Sequence, residues 1–343
     1  MNALRLALVL LLAAAPAAAQ TATVAGRAVA AEDSSAIPLS LVRLVPAAGG
    51  AGRTTLTDAA GSFRFDTVAA GSYRLRVERI GYTAAPTPPF AVRDGEEVRQ
   101  TLRANLRAVV LAEISSGRPE CYTADRLREV PALETLWREA RKGIETRRAF
   151  RYQYAYRYAM STRATARLRL LRDQRIARDT VIYTDPDTLR ARNARVAREG
   201  YLKNARGNYV ITVPDDLELL SDEFLTTHCI EGNPARDEEG MWNLRFRPVR
   251  APADRVDIAG TLRVDASTYV VRGLTFEYLR GRRQIGSGSV TYSEVATPAG
   301  RVRLPVLVRF TGDPGGTVGV VVTGFDGTVS YTGYRDFVKV GTD

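Results

Sequence analysis

Histidine is nearly missing from this 343-residue chain, which has one, His228. A zinc peptidase site built on two histidines and a glutamate therefore cannot form. Lysine is scarce as well, at Lys142, Lys203 and Lys339, so arginine carries almost all of the +11 net charge. Only two cysteines occur, and no Cys-x-x-Cys, which excludes a dithiol redox motif. P-loop, dinucleotide-glycine and Gly-x-Ser-x-Gly patterns are all lacking, so no nucleotide cradle or nucleophile elbow is expected. Helix-turn-helix and zinc-finger patterns are lacking too, and with an export signal at the front no nucleic-acid partner is expected. After the first twenty residues no apolar run is long enough for a transmembrane helix.

What is there begins with that export signal. Arg5 precedes an apolar run over residues 6–15, and Ala17, Ala18 and Ala19 suit signal peptidase. Residues 1–19 read as a signal peptide, with periplasmic, outer-membrane-associated or extracellular destinations; an uncleaved anchor is the rival. No cysteine follows the cleavage site to carry a lipid. In an oxidising compartment Cys121 and Cys229 read as a disulfide, with two buried thiols as the alternative. A bridge closing so long a loop contributes up to ~4.7 kcal/mol in the chain-entropy account. The basic balance favours anionic partners such as lipid phosphates or acidic polysaccharide, including peripheral contact with an anionic membrane surface.

Residues 57–77 are the most informative stretch. Asp58 and Gly61 bracket a tight turn, Phe63 and Phe65 alternate with polar residues, and Tyr73, Leu75 and Val77 do the same. Short strands with Gly-rich turns over residues 20–107 predict an antiparallel β-sandwich. The order Val-x-Gly-x-Ala-Val, Ile-Pro-Leu-x-x-Val-x-Leu, Thr-Asp-x-x-Gly-x-Phe-x-Phe, Ala-Gly-x-Tyr-x-Leu-x-Val and Ile-Gly-Tyr resembles the carboxypeptidase regulatory-like domain. That resemblance implies a transthyretin-like seven-stranded sandwich that is not itself catalytic. Leu41 departs from it, standing where the family usually has a small residue. The apolar residues 106–114 are reminiscent of a stretch that follows such domains on receptors.

Residues 108–148 read as linker and amphipathic helix. Leu133, Leu136, Trp137, Ala140 and Ile144 recur at helical spacing behind Pro131, with Glu134, Arg138, Arg141 and Lys142 opposite. A helix packed on a following sheet is the expectation; a membrane-surface helix is the rival. Residues 149–343 read as an antiparallel β domain, a sheet or half-barrel with one packed helix. Phe150, Tyr152, Tyr154, Tyr156, Tyr158 and Met160 alternate as one strand, and residues 163–172 read as its partner. Residues 173–207 read mostly as loop with a short helix. Ser221 reads as the cap of a helix over residues 222–227 that delivers His228 and Cys229. Alternation from Trp242 to Tyr331 gives the remaining strands. Residues 258–278 resemble the repeats of periplasmic lipoprotein-carrier-like half-barrels, which curl around an apolar cavity.

No catalytic, cofactor or metal site emerges. His228 reads as a packed residue beside the disulfide. Asp185 with Asp187, Asp215 with Asp216, and residues 237–239 read as turn acids, with calcium binding or a glycosidase pair as rivals. Tyr152, Tyr154, Tyr156 and Tyr158 are the candidate ligand-facing row, since aromatic faces hold apolar ligands or stack on sugars; the competing reading makes them core. A transmembrane barrel is disfavoured by the polar insertion at residues 173–207. The chain is thus expected to be an exported, non-catalytic binding or scaffold protein of the cell envelope, its sandwich docking on an envelope protein, polysaccharide or lipid. A carrier of an apolar ligand and an enzyme with carboxylate chemistry are the alternatives.

Overall fold

The computed structural model describes residues 21–107, 120–169, 171–205, 208–214, 219, 222–231, 235–250, 255–313 and 322–340. The signal peptide, the apolar stretch after Arg107, the Ser221 cap and the Asp215–Asp216 pair lie outside the described residues.

The N-terminal lobe holds β1 (Ala22–Ala30), β2 (Leu41–Pro46), β3 (Arg53–Leu56), β4 (Ser62–Val68), β5 (Gly71–Glu78), β6 (Tyr82–Thr83), β7 (Phe90–Val92) and β8 (Glu97–Leu106). Two four-stranded sheets, β4-β1-β8-β6 and β3-β2-β5-β7, sandwich a core of Val24, Val42, Leu44, Phe63, Phe65, Leu75 and Leu102. Phe63 and Phe65 are buried while Arg64 and Asp66 are exposed, as period-2 alternation requires. The turn before them is held by Asp58, whose Oδ1 accepts from the Ala60 and Ser62 amides at 2.9 and 2.8 Å. Gly61 sits at φ +75°, and a Cβ there would lie 2.6 Å from the Ala28 carbonyl. One expectation fails: β1 and β8 pair in parallel, from Thr23 with Glu97 to Ala30 with Ala104. The six intervening strands, four of them in the opposite sheet, form the long crossover that a parallel pair needs.

After β9 (Cys121–Tyr122) and a 3₁₀ turn (Leu127–Glu129), α1 (Pro131–Gln153) runs 23 residues. Sequence periodicity ends it near Thr146 and starts a strand at Phe150; the structure keeps Phe150 and Tyr152 helical. Tertiary contacts override the aromatic alternation here. Phe150 is fully buried, and the Gln153 side chain bonds the Leu56 amide and the Thr54 carbonyl, both at 3.3 Å. Gly143, mid-helix, faces Ile80 of the sandwich, whose Cδ1 would lie 2.6 Å from an added Cβ. Arg43 pairs with Glu145 at 2.9 Å beside that contact. The helix therefore binds the sandwich along one side.

Its other side meets the large sheet. The remaining elements are β10 (Tyr154–Leu168), β11 (Gln174–Thr184), α2 (Pro186–Glu199), β12 (Leu202–Ala205), β13 (Asn208–Ile211), α3 (Asp222–Thr227), β14 (His228–Glu231), β15 (Ala235–Arg236), β16 (Met241–Pro248), β17 (Asp257–Asp265), β18 (Val271–Arg280), β19 (Arg283–Thr297), β20 (Gly300–Gly312) and β21 (Val322–Lys339). The order β11-β10-β21-β20-β19-β18-β17-β16-β14-β9 is antiparallel throughout. Leu136, Trp137 and Ile144 of α1, Leu189 and Val196 of α2, and Phe224 and Leu225 of α3 share one core with Phe246, Ile258, Leu274, Tyr278, Val290 and Val308. Five adjacent strands, β16 to β20, thus pack against the same helices.

Two expectations are corrected in this lobe. Residues 163–168 continue β10 rather than turning back, because β11 and β21 already flank that strand on both sides. Residues 173–207 are not mostly loop but hold β11, α2 and β12. Asp185 caps α2, accepting from the Thr188 amide at 2.9 Å, with Pro186 in the first turn. Among the described residues the lobe packs α1, α2 and α3, with α2 longer than the short helix expected within residues 173–207. Cys121 and Cys229 form the disulfide between β9 and β14, with Cα atoms 5.3 Å apart. No helix among the described residues is long and apolar enough to cross a membrane, which leaves barrel-type spanning unaddressed.

Candidate ligand-binding site

The start of β10 aims Tyr154, Tyr156 and Tyr158 at one face, and β21 supplies Tyr331 and Tyr334 beside them. Bulges between Ala155 and Arg157, and between Arg157 and Ala159, re-aim the strand at this point. The rings touch in a chain: Tyr156 to Tyr334 at 6.0 Å, Tyr158 to Tyr334 at 5.3 Å, Tyr158 to Tyr331 at 5.7 Å. Between these rings, α2 and the inner face of β19–β20 lies a cavity of about 320 Å³. Its apolar wall includes Met160, Ile182, Leu189, Val290 and Val308, and Arg151, Arg192 and Arg195 stand around it. Among the described residues no carboxylate lines it.

Two phenols of this wall, Tyr158 and Tyr334, are held in the neutral form. Burial, together with the Tyr156 and Tyr331 phenols, pushes Tyr158 up to about 12. Burial and the surrounding phenols push Tyr334 up further still. The Tyr334 hydroxyl donates to the Pro305 carbonyl at 2.6 Å, fixing its ring. Arg192 donates to the Val213 carbonyl at 2.8 Å, which ties α2 to the segment after β13.

The four expected tyrosines separate. Tyr156 and Tyr158 line the cavity. Tyr154 does not; it stacks on Phe150 at 4.8 Å and joins Leu39, Leu41 and Leu56 of the sandwich in a buried cluster with Val302 and Leu304. Leu41, the departure from the usual small residue, is thereby explained as part of the contact between lobes. Tyr152 lies on α1 with Arg190 over its ring at 5.1 Å, because the helix extends to Gln153. Tyr292, Tyr331 and Tyr334 belong to the wall but were not singled out as site residues. Gly333 at φ +62° and Asp336 at φ +56° interrupt the alternation of β21 and hide its facing.

The acids and the histidine sit elsewhere. His228 is buried, stacked on Phe224 at 3.9 Å, its Nε2 3.1 Å from the Ile258 carbonyl and 3.2 Å from Asp257. Both Nε2 neighbours are acceptors, so Nε2 carries a proton, while Nδ1 lies 2.9 Å from the Thr227 hydroxyl, which is also 3.2 Å from the Phe224 carbonyl. This resembles a hydroxyl–imidazole–carboxylate array, but none of the three lines any cavity described here. Burial, the largest influence, pushes Asp257 up, yet hydrogen bonds from His228 and the Ile258 amide hold it below the usual carboxylate range. Asp187 pairs with Arg190, and Asp237 binds the Met241 amide and Arg263. Among the described residues no three His, Cys, Asp or Glu side chains converge to hold a metal ion. A wider open trough of about 700 Å³ lies at the far end of β10, β11 and β19–β21, lined by Arg163, Arg175, Arg309 and Phe310.

Comparison with known families settles the N-terminal lobe. Residues 23–106 match the carboxypeptidase regulatory-like domain. The regulatory-like domain spans the whole sandwich from β1 to β8, as its strand motifs imply. No curated protein matches the chain. Among solved structures, the minor pilin of Streptococcus agalactiae is 17% identical over 29% of this chain and 49% of that chain, with a TM-score of 0.23. The chain thus covers about half of that pilin. A DUF3823 family protein of Parabacteroides merdae is 10% identical over 50% of this chain and 85% of its own, at 0.21. The major pilin subunit of Bacillus cereus is 9% identical over 90% and 95%, at 0.23. Scores so low carry no argument.

Proposed function

We propose that the chain is an exported, non-catalytic binding protein of the bacterial cell envelope. Its curled sheet takes one apolar or amphiphilic ligand into the tyrosine cavity, and its regulatory-like domain docks on an envelope partner. The observation that carries this reading is the cavity itself: about 320 Å³ and walled by tyrosines and aliphatic residues, with no carboxylate among the described residues. Small-molecule sites run from ~300 to 1,000 Å³ and are mostly apolar with a few placed polar groups. This one is at the small end, which suits a single ring or short acyl chain. The arginines around it suit an acidic head on that ligand. The disulfide and the N-terminal apolar run support export.

A second reading, a carrier that releases its ligand to another protein, draws on the same cavity and on the packing of three helices against one face of the sheet. The carboxylate-enzyme reading finds less support, since among the described residues neither the tyrosine cavity nor the trough brings two acids together. Titration of the full chain with N-phenyl-1-naphthylamine tests the binding reading. Saturable fluorescence enhancement that a fatty acid displaces, and that Tyr158→Ala weakens, supports it. Enhancement that is absent, or indifferent to the substitution, refutes it.

A further inference from the structure

A second cavity, of about 560 Å³, lies where the sandwich, α1 and the large sheet meet. The sandwich contributes Arg79, Ile80, Tyr82 and Arg107; α1 contributes Thr146 and Arg147; the sheet contributes Val271, Glu294, Arg301 and Arg303. Five guanidinium groups therefore face one carboxylate. Glu294 is already engaged, 3.2 Å from Arg301 and 3.0 Å from Arg303. Arg79 donates to the Leu39 carbonyl at 3.2 Å and has no carboxylate partner among the described residues. The nearby acids Glu139 and Asp265 are held by Lys142 and Arg272, at 2.8 and 2.7 Å. Thr146, 5% exposed, presents a hydroxyl with no hydrogen-bond partner at the cavity wall.

A half-buried cation without a counter-ion is costly, and so is an unsatisfied buried hydroxyl. Burial holds the Arg79 guanidinium below the usual arginine value. Burial and the neighbouring Arg272 do the same to Arg303 despite Glu294. An anion entering the cavity relieves these deficits together. We infer that this inter-lobe cavity binds a small phosphate-bearing ligand, its anionic group met by Arg79, Arg147 and Arg303 and its body lying on Ile80, Tyr82 and Val271. Arginine's planar fork suits phosphate oxygens, and the apolar wall leaves room for a glycerol- or sugar-sized body. The same chemistry is offered by a free phosphate ester and by a lipid headgroup. This site is separate from the tyrosine cavity and does not depend on what that cavity holds.

The test uses the full chain in two arms. In one, glycerol 3-phosphate is titrated calorimetrically at low salt; in the other, phosphatidylglycerol vesicles are compared with phosphatidylcholine vesicles by co-sedimentation. Saturable binding in either arm is expected, weakened about tenfold or more by Arg79→Gln and by Arg303→Gln, as loss of a charge-assisted hydrogen bond implies. Arg79→Lys keeps the charge and recovers part of the affinity, which separates binding from misfolding. Arg99→Gln, on an exposed sandwich side chain, leaves affinity unchanged. The arm that responds identifies the source of the phosphate. No binding in either arm, or binding indifferent to both glutamine substitutions, overturns the inference.

Discussion

The two cavities of this molecule are built in opposite ways. The tyrosine cavity is lined by strand residues whose rings contact one another, the Tyr158 and Tyr334 phenols held neutral by burial, with α2 laid across them. The inter-lobe cavity is lined by arginines drawn from the sandwich, from α1 and from the sheet, which no single element could gather. The first is a product of one fold closing on itself. The second exists only because two lobes share a helix. The difference teaches that α1 is the common wall: Arg151 at its end borders one cavity, and Thr146 and Arg147, one turn earlier, border the other.

The strongest way to break the comparison is to break that wall. Phe150 is fully buried and touches Tyr154, Tyr156 and Phe337. Phe150→Ala is expected to cost about 3–5 kcal/mol in chemical denaturation and to weaken both sites together. Loss at one site alone would show that the cavities do not share a wall.

The next test separates the sites. Tyr158→Ala should lower affinity for an apolar probe about tenfold while leaving glycerol 3-phosphate binding intact, and Arg79→Gln should do the reverse. Two titrations on each variant check this. Cross-effects of equal size would merge the two sites into one.

A smaller effect comes from acid. Asp257 has a folded pKa below its unfolded value of about 3.9. Its contribution is therefore present above the unfolded pKa and lost as pH falls through the folded one. Melting temperature should drop below about pH 4, and Asp257→Asn should lower it at neutral pH while flattening that part of the acid limb. An unchanged acid limb would remove Asp257 from the scaffold behind the cavities. Least of all, Asp179→Asn, which removes an exposed pair with Arg163 that lines neither site, should leave melting and both affinities unchanged.

The two cavities also differ in how much of them the chain discloses. The alternation from Tyr154 to Tyr158 is visible in the residues, as are the sandwich turn at Asp58 and the core stripe of α1 from Leu133 to Ile144. Tyr152 misleads because helix and strand patterns overlap at the α1–β10 junction, where Phe150 and Gln153 are pinned by the sandwich. Tyr334 is hidden by left-handed backbone at Gly333 and Asp336. The arginine cavity leaves no local trace at all. In a chain this rich in arginine, Arg79, Arg147 and Arg303 look like any others until the lobes dock.

On the proposed function, the tyrosine cavity holds a ligand without turning it over. Native mass spectrometry of the full chain, isolated gently from its own envelope, measures this most directly. One bound amphiphile per chain is expected, unaltered on prolonged incubation and missing from Tyr158→Ala. A bare chain, an adduct that persists in Tyr158→Ala at equal occupancy, or steady conversion of the bound molecule would contradict it.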